Sequence, residues 1–328
     1  MSDALKAALL ERARAAGFDD VRVAPAAAPE ADRDRLLGWL AAGLHGEMDY
    51  MARWGAARAD AATVLPGARS VLVFAANHYP LATPPLPPGG AEGSGGPILV
   101  AGPPPGHVAI AKYAVGEDYH VVLRERLAPV LGWLAEVLPN EKWRVCVDSA
   151  PLLERAFAVR AGIGFAAKNT MVISPRRGSY FFIACIATTA LIEPDAPIEG
   201  TCGTCTRCLE ACPTQAIIAP HVLDARRCIS YQTIERRSEP GPDESVHLAG
   251  YAFGCDICQD VCPYNKFAVQ AGMEEFRDGR VVRHHEPAAT FAAIRSNREF
   301  ARRFARSPLR RAGRRRLQRH AQSAVRGR

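Results

Sequence analysis

Apolar and polar residues along the first half of the chain follow patterns that predict helices and strands in turn. Repeats near 3.6 residues indicate helices, and short continuous apolar runs indicate buried strands. The predicted helices are 4–16, 32–42, 119–137 and 151–161, and the predicted strands are 20–23, 71–76, 144–147, 171–174 and 180–191. We expect the last two strands to meet at a turn over 176–178 and the Pro- and Gly-rich stretch 81–105 to be a loop. Helices packed on a sheet give an α/β fold.

Eight of the ten cysteines lie between Cys202 and Cys262. The first run, from Cys202 to Cys212, has the spacing C-x2-C-x2-C-x3-C-P of a bacterial two-cluster ferredoxin. The second set begins at Cys228 and continues, after an insertion, as C-x2-C-x3-C-P. In such proteins the fourth cysteine of each run binds the other cluster. The sequence therefore predicts two 4Fe-4S clusters, one held by Cys202, Cys205, Cys208 and Cys262 and the other by Cys212, Cys228, Cys255 and Cys258.

Other uses of cysteine fit this pattern less well. A zinc ribbon also uses C-x2-C pairs, but it needs only four ligands per metal and no proline after each run. Disulfides need an oxidising compartment, and residues 1–10 contain neither an apolar signal core nor twin arginines, so we expect a cytoplasmic protein. Cys146 and Cys185 lie in apolar stretches and are predicted to be core residues. No run of 18 apolar residues occurs, so we predict no membrane span.

The net charge of +7 is unevenly distributed. Residues 301–328 contain eleven arginines and no acid, whereas residues 1–300 carry 30 basic and 34 acidic side chains. We predict a helix up to Arg306 and another after Pro308. One face of the second helix would carry Leu309, Ala312, Arg316 and Leu317. Guanidinium groups match phosphate geometry, so the tail is predicted to bind nucleic acid in a salt-dependent way; a solvated helix or an acidic protein partner are the alternatives.

The chain is longer than one typical domain, and the sequence predicts three parts. These are an α/β domain over 1–195, a ferredoxin-type domain over 196–268 and a helical, arginine-rich segment over 269–328. Neither a Walker A run nor a complete Rossmann fingerprint is present. The pattern alone therefore indicates an iron-sulfur oxidoreductase with a basic tail.

Several motifs resemble those of the epoxyqueuosine reductases, namely 116–120, 147–155, 160–169, 178–180, 228–231, 254–263 and 296–300. The resemblance implies an enzyme that reduces the epoxide of epoxyqueuosine at the wobble position of tRNA with GUN anticodons. It further implies two 4Fe-4S clusters and base-off cobalamin, with electrons from an external donor such as a ferredoxin or flavodoxin. The implied fold is a nitroreductase-like or reductive-dehalogenase-like cobalamin-binding domain, followed by a two-cluster ferredoxin-like module and a basic helical tail. We expect a monomer.

The resemblance also implies roles for individual residues. Asp148 matches the proton donor that the leaving oxygen requires, and burial at the end of a strand is expected to raise its pKa. The alternative is that Asp148 or Ser149 caps the next helix. Arg155 is expected to orient the substrate, with an ion pair to Glu154 or Asp148 as its alternative. The cobalamin contacts implied are Arg58, Asp148, Asn169, Val172, Ser230, Cys255 and Asp256.

Contacts to tRNA are predicted for Arg155, Arg236, Arg237, Arg310, Arg311, Arg314, Arg315 and Arg316. Some relatives continue into a helical-repeat extension, so we expect the tail of this chain to carry more of the binding. We predict that His120 caps or packs a helix start and does not bind cobalt. Ala111 stands where some members have a cysteine near the cobalt, so no thiol acts there. For Lys168, a phosphate contact and a corrin amide contact both stay open.

Two other classes of protein remain as alternatives. A reductive dehalogenase also joins cobalamin to two clusters, but such enzymes usually carry an export signal. A non-catalytic electron carrier would lack the visible bands of a corrin.

Overall fold

The structure is a computed structural model that describes residues 3–82, 101–239 and 247–326. Its α-helices are α1 Asp3–Ala15, α2 Glu30–Ala41, α3 Asp49–Trp54, α4 Tyr119–Val137, α5 Glu154–Arg160, α6 Arg207–Glu210, α7 Ile229–Ile234, α8 Ile257–Asp260, α9 Ala288–Ala292, α10 Asn297–Arg303 and α11 Arg314–Arg326. Its strands are β1 Asp20–Pro25, β2 Ser70–Asn77, β3 His107–Ile110, β4 Trp143–Cys146, β5 Phe165–Ala166, β6 Val172–Ile173, β7 Phe181–Thr188, β8 Ile217–Ala219, β9 Val222–Leu223, β10 Tyr251–Phe253 and β11 His285–Pro287. Within these described ranges, every helix is too short or too polar to cross a membrane.

An antiparallel sheet in the order β1-β2-β7-β4 organises the first half of the chain. Alternate residues of a strand point to opposite faces, and β2 is buried on both. Leu72 and Phe74 pack in the core that α1 and α4 cover, while Val71 and Val73 pack in the core that includes Phe157 of α5. The predicted α/β arrangement is confirmed, with helices on both faces of the sheet. Cys146 and Cys185 are buried in the second of these cores, as predicted.

The predicted hairpin of residues 171–174 and 180–191 is wrong. The strand β6 pairs with β5, whereas β7 joins the large sheet between β2 and β4. Ser174 and Gly178 close a tight turn through two backbone hydrogen bonds of 2.9 Å, which ends the pairing after a single bridge. Of the loop predicted over 81–105, residues 83–100 lie outside the described residues.

A second sheet, in the order β10-β3-β11, links the three predicted parts of the chain. The strand β3 is parallel to β10 and antiparallel to β11. The C-terminal helices pack on this sheet around buried Phe291, Phe304 and Leu317. The α/β part of the chain, through β3, is therefore joined by backbone hydrogen bonds to both the ferredoxin-type segment and the C-terminal segment.

The basic tail differs from its prediction at the start of the second helix. Pro308–Arg311 is a short 3-10 helix whose first turn is capped by the hydroxyl of Ser307, and α11 begins only at Arg314. Gly313, with φ of +75°, separates the two because this left-handed conformation favours glycine. Leu309, Ala312 and Leu317 are buried as predicted, but of the four residues expected on one helix face only Arg316 and Leu317 lie on α11.

Candidate functional site

Four cysteines from both runs line one small cavity. They are Cys202, Cys205, Cys208 and Cys262. Burial, followed by the neighbouring thiols of the other three, raises the pKa of Cys208 to about 11. The last cysteine of the second run thus lies beside the first three of the first run. Four converging sulfur atoms form a donor set suited to a 4Fe-4S cluster.

The remaining four cysteines form the second set. Burial raises the pKa of Cys255 well above its usual range, and the thiols of Cys228 and Cys212 add to this effect. The neighbours of Cys258 include these three thiols and also Cys208 of the first set. The two cysteine sets are therefore adjacent, as a one-electron relay between two clusters requires.

The residues Lys168 and Asn169 lie against the cysteines. Lys168 Nζ donates hydrogen bonds to the carbonyl oxygens of Gly203 and Cys205, at 2.7 and 2.9 Å. Its ammonium group therefore holds the first cysteine loop. Asn169 is 4% exposed, lines the cavity of the first set and donates through Nδ2 to the carbonyl of Cys258, at 3.2 Å.

Asp148 lies in the loop that joins β4 to α5. Its φ of +55° is in the left-handed region, which aspartate adopts more readily than most residues. The backbone N–H of Asp148 donates to Glu154 Oε1, at 2.7 Å. The alternative in which Asp148 or Ser149 caps the helix is wrong, because α5 begins three residues later than predicted and its N-cap is Leu153.

The carboxylate of Asp148 receives two contacts from the start of α4. The Tyr119 hydroxyl donates to Asp148 Oδ2 at 2.6 Å, and His120 Nε2 lies 3.4 Å from the same oxygen. Burial acts to raise the pKa of Asp148, but the contacts from His120 and Tyr119 outweigh it and lower the pKa to about 2. The expected upward shift is therefore wrong. The group with a raised pKa is Glu154, where burial and then the charge of Asp148 raise the pKa to about 8.

Sequence reasoning missed the role of His120. The helix α4 is capped by Asp118, and the His120 ring lies between Asp118 and Asp148. Burial acts to lower the pKa of His120, but hydrogen bonds to these two carboxylates raise it to about 9. The signal available in the sequence was the triplet Asp-Tyr-His at a helix start, which we interpreted as capping and packing alone.

Two arginines lie near Asp148, whose side chain is 59% exposed. Arg155 donates to the carbonyl of Thr170 at 2.9 Å, and neither of the ion pairs considered for it forms among the described residues. Arg311 also lies close enough for its charge to lower the pKa of Asp148. Since Thr170 follows Asn169 directly, Arg155 connects the surroundings of Asp148 to the residues that line the cysteine cavity.

Some of the residues predicted to contact cobalamin are placed so that they could bind it. Arg58 is 7% exposed and donates to the carbonyl of Tyr50 at 2.8 Å, but its buried Nε has no hydrogen-bond partner among the described residues. Cobalamin carries amide and phosphate oxygen atoms that could accept a hydrogen bond from this nitrogen. Ser230 is half-buried beside Cys228, and Val172 is 5% exposed.

The side chain of Asp256 is buried and contacts Lys112. It is 1% exposed, accepts a hydrogen bond from the backbone N–H of Lys112 at 2.7 Å and lies 3.6 Å from Lys112 Nζ. A cofactor contact at this position is therefore left to the backbone of Asp256.

The tail and loop arginines predicted to contact tRNA fall into two groups. Some are exposed and form no ion pair with another described residue, and the others form hydrogen bonds with other parts of the protein. Arg310 and Arg315 are exposed and form no ion pair within the part of the chain that the structure describes. Arg311 forms a two-point ion pair with Glu235, with both N–O distances at 2.8 Å. The other guanidinium groups that form hydrogen bonds are Arg314 with Asn297 and Gln318, Arg316 with the carbonyls of Ala312, Arg236 and Arg311, Arg236 with Gln232, and Arg237 with the carbonyl of Arg311. Arg311, Arg316 and Arg237 join the tail to the segment 232–239.

Comparison with known proteins agrees with this geometry. Residues 201–265 match a family described as a 4Fe-4S double cluster binding domain. The fold and the two cysteine sets therefore define an iron-sulfur protein with two clusters. Residues 58–149, which end just after Asp148, match the family described as epoxyqueuosine reductase QueG, DUF1730.

Curated relatives extend the match over most of the chain. The epoxyqueuosine reductase of Alicycliphilus denitrificans is 39% identical over 280 residues, which is 85% of this chain and 76% of the relative. That of Synechocystis sp. is 41% identical over 258 residues, or 77% of this chain and 83% of the relative. The chain belongs to the epoxyqueuosine reductase family, a family of oxidoreductases, as the sequence motifs indicated.

Solved structures of the family superpose on nearly the whole chain. An epoxyqueuosine reductase crystallised with an epoxyqueuosine-modified tRNA-Tyr stem loop is 32% identical, with a TM-score of 0.81 over 99% of this chain and 81% of that one. The Bacillus subtilis enzyme, with its catalytic aspartate loop swung out of the active site, is also 32% identical, with a TM-score of 0.79 over 99% of this chain and 82% of that one. The fold of this chain is thus the fold of the family.

Proposed function

We propose that this protein is an epoxyqueuosine reductase that converts epoxyqueuosine in tRNA to queuosine. One observation carries the proposal: in a member of this family, the hydrogen-bonded carboxylate of Asp148 is linked through neighbouring residues to the clustered cysteines. The link runs from Arg155, whose guanidinium interacts with Asp148, through Thr170 and Asn169 to the carbonyl of Cys258. Proton transfer and electron transfer can therefore meet in one region of the protein.

The two cysteine sets hold one 4Fe-4S cluster each in this proposal. Cys202, Cys205, Cys208 and Cys262 bind the first, and Cys212, Cys228, Cys255 and Cys258 bind the second. Cobalamin, when bound, supplies the low-potential metal chemistry that the protein side chains lack. Arg58 would hold it through the free Nε, together with Asp148, Asn169, Val172, Ser230, Cys255 and the backbone of Asp256.

Asp148 is the proposed proton donor. Reduction of an epoxide to an alkene breaks two C–O bonds, consumes two electrons and two protons, and releases the oxygen as water. An alkoxide is a poor leaving group, so an acid positioned at the oxygen accelerates its departure by about 100-fold or more. Both contacts from α4 fall on Oδ2 of Asp148, so Tyr119 and His120 hold the carboxyl group through one of its oxygens.

The proposed activity requires two partners, a tRNA substrate and an electron donor. The tRNA binds with its modified base near Asp148, where Arg155 orients it, and the exposed Arg310 and Arg315 of the tail offer phosphate contacts. An external ferredoxin or flavodoxin supplies the electrons. We keep the division into a cobalamin-binding domain over 1–195, a ferredoxin-type domain over 196–268 and a tRNA-contacting segment over 269–328, acting as a cytoplasmic monomer.

The test is an anaerobic reconstitution with iron, sulfide and cobalamin, followed by nucleoside analysis of epoxyqueuosine-containing tRNA after incubation with a reductant. We expect about eight irons per chain, corrin bands in the visible spectrum and conversion to queuosine. Asp148→Asn should keep both cofactors and lose turnover. Intact epoxyqueuosine after incubation with fully loaded protein would reject the proposed function.

A further inference from the structure

The two ring nitrogens of His120 both face carboxylates. Nδ1 lies 2.7 Å from Asp118 Oδ1, and Nε2 lies 3.4 Å from Asp148 Oδ2. An ionised carboxylate only accepts hydrogen bonds, so each ring nitrogen must carry a hydrogen to satisfy its neighbour. His120 is therefore an imidazolium in this arrangement.

The ring is also held in a fixed orientation. Asp118 Oδ1 accepts a hydrogen bond from the backbone N–H of His120 at 3.0 Å while it contacts the ring. The Tyr119 ring stacks on His120 with centroids 4.1 Å apart, and its own orientation follows from stacking on Phe182 at 4.4 Å. A proton carrier oriented by a third group is the arrangement that catalytic triads use.

Asp148 in the same arrangement is a carboxylate, so it holds no proton to donate. The nearest proton is on Nε2 of His120. We propose that His120 is a positioning residue that loads Asp148 with the proton for the leaving oxygen; this inference rests on the proposed function and deepens it. The Nε2–H bond breaks as an O–H bond forms on Asp148, and the carboxylic acid then transfers a proton to the departing alkoxide. Neutral His120, which is 29% exposed, regains its proton from solvent.

The surrounding charges are compatible with this role. Beyond Asp118 and Asp148, the helix α5 contributes Glu154, whose raised pKa leaves it mostly uncharged at neutral pH, and Arg155, which interacts with Asp148. From the tail, Arg310 acts on Asp118 and Arg311 acts on Asp148. From α4, Arg124 acts on Glu154 and donates to the hydroxyl of Ser149 at 3.0 Å. The net effect, a pKa of about 9 for His120, keeps the imidazolium populated at neutral pH.

The experiment compares single-turnover rates of the reconstituted wild-type protein and His120→Gln between pH 6 and 10. Glutamine keeps a hydrogen-bond donor but does not titrate. We expect the wild-type rate to fall as pH rises through about 9, where the imidazolium loses its proton. We expect His120→Gln to be slower by at least about tenfold at neutral pH and to lack that descending limb. His247→Gln, an exposed histidine in the segment after residue 246, should behave as the wild type.

Two further measurements separate proton loading from a merely structural role. Imidazole should restore part of the rate of His120→Ala, and Asp148→Asn/His120→Gln should be no slower than Asp148→Asn alone. A uniformly slow His120→Gln with no imidazole rescue, or a wild-type pH profile in that variant, would overturn the inference while the proposed function stands. A wild-type protein that leaves epoxyqueuosine intact would overturn both.

Discussion

Glu154 and Asp148 are joined across the β4–α5 loop, where the backbone N–H of Asp148 donates to Oε1 of Glu154 at 2.7 Å. This bond holds Asp148 in a left-handed conformation, with φ of +55°, at which Tyr119 and His120 reach its carboxylate. The first residue of α5 thus fixes the position of the proposed acid.

We expect Glu154→Leu to lower the rate of epoxide reduction about tenfold. Leucine cannot accept from the Asp148 N–H, and one such hydrogen bond is worth about 1.5 kcal/mol, close to a factor of ten. Glu154→Gln keeps an acceptor oxygen and should retain most of the rate. Single-turnover assays on proteins with matched iron content test this, together with faster hydrogen exchange at the Asp148 amide in the leucine variant. Equal rates for the two variants would contradict this role of Glu154.

The raised pKa of Glu154 gives a second prediction, about stability. A carboxyl group with a pKa of about 8 in the folded state, against about 4.5 when unfolded, favours folding fully below pH 4.5 and loses this contribution as pH rises through 8. The thermal midpoint of the wild type relative to Glu154→Gln should therefore fall between pH 5 and 8. His120 titrates in both proteins, so its effect largely cancels in the difference. A constant difference across this range would show that Glu154 is ionised throughout.

The crossed arrangement of cysteines predicts which substitutions remove the same cluster. Cys262→Ser should lose the cluster whose other ligands are Cys202, Cys205 and Cys208, and iron should fall from about eight to about four per chain. The double variant Cys202→Ser/Cys262→Ser should lose no more iron than either single variant. Cys146→Ala, which removes a buried core cysteine, is the control and should keep its iron. If the double variant loses all iron, Cys262 serves the other cluster.

The sequence predicted features that depend on neighbouring residues and missed those that depend on distant contacts. The fully apolar run of β2 was sufficient to predict a buried strand, and cysteine spacing was sufficient to predict which thiols converge. The contact between Tyr119 and Asp148 joins residues 29 positions apart, and it depends on where α4 packs against the end of β4. The direction of the pKa shift of Asp148 follows from that packing, so strand-end burial alone gave the wrong sign. The pairing of β3 with β10 and β11 was missed for the same reason.

The division of the tail arginines predicts which of them bind tRNA. Arg310→Ala/Arg315→Ala should weaken binding of an epoxyqueuosine tRNA stem loop and lower the slope of log K against log salt concentration by at most about 2, because each side chain neutralises one phosphate. Substituting Arg314 and Arg316 as well would confuse the result, since both hold α11 in place through hydrogen bonds.

The matched control removes the same charge from elsewhere on the protein. Arg14 on α1 and Arg144 on β4 are exposed, so Arg14→Ala/Arg144→Ala changes the net charge equally and leaves the tail intact. If long-range attraction alone accounts for the effect, the two double variants will show the same affinity and the same salt slope. A loss confined to the tail variant requires direct contact between its arginines and the phosphates, and it would place the RNA backbone near Arg311, whose charge acts on Asp148.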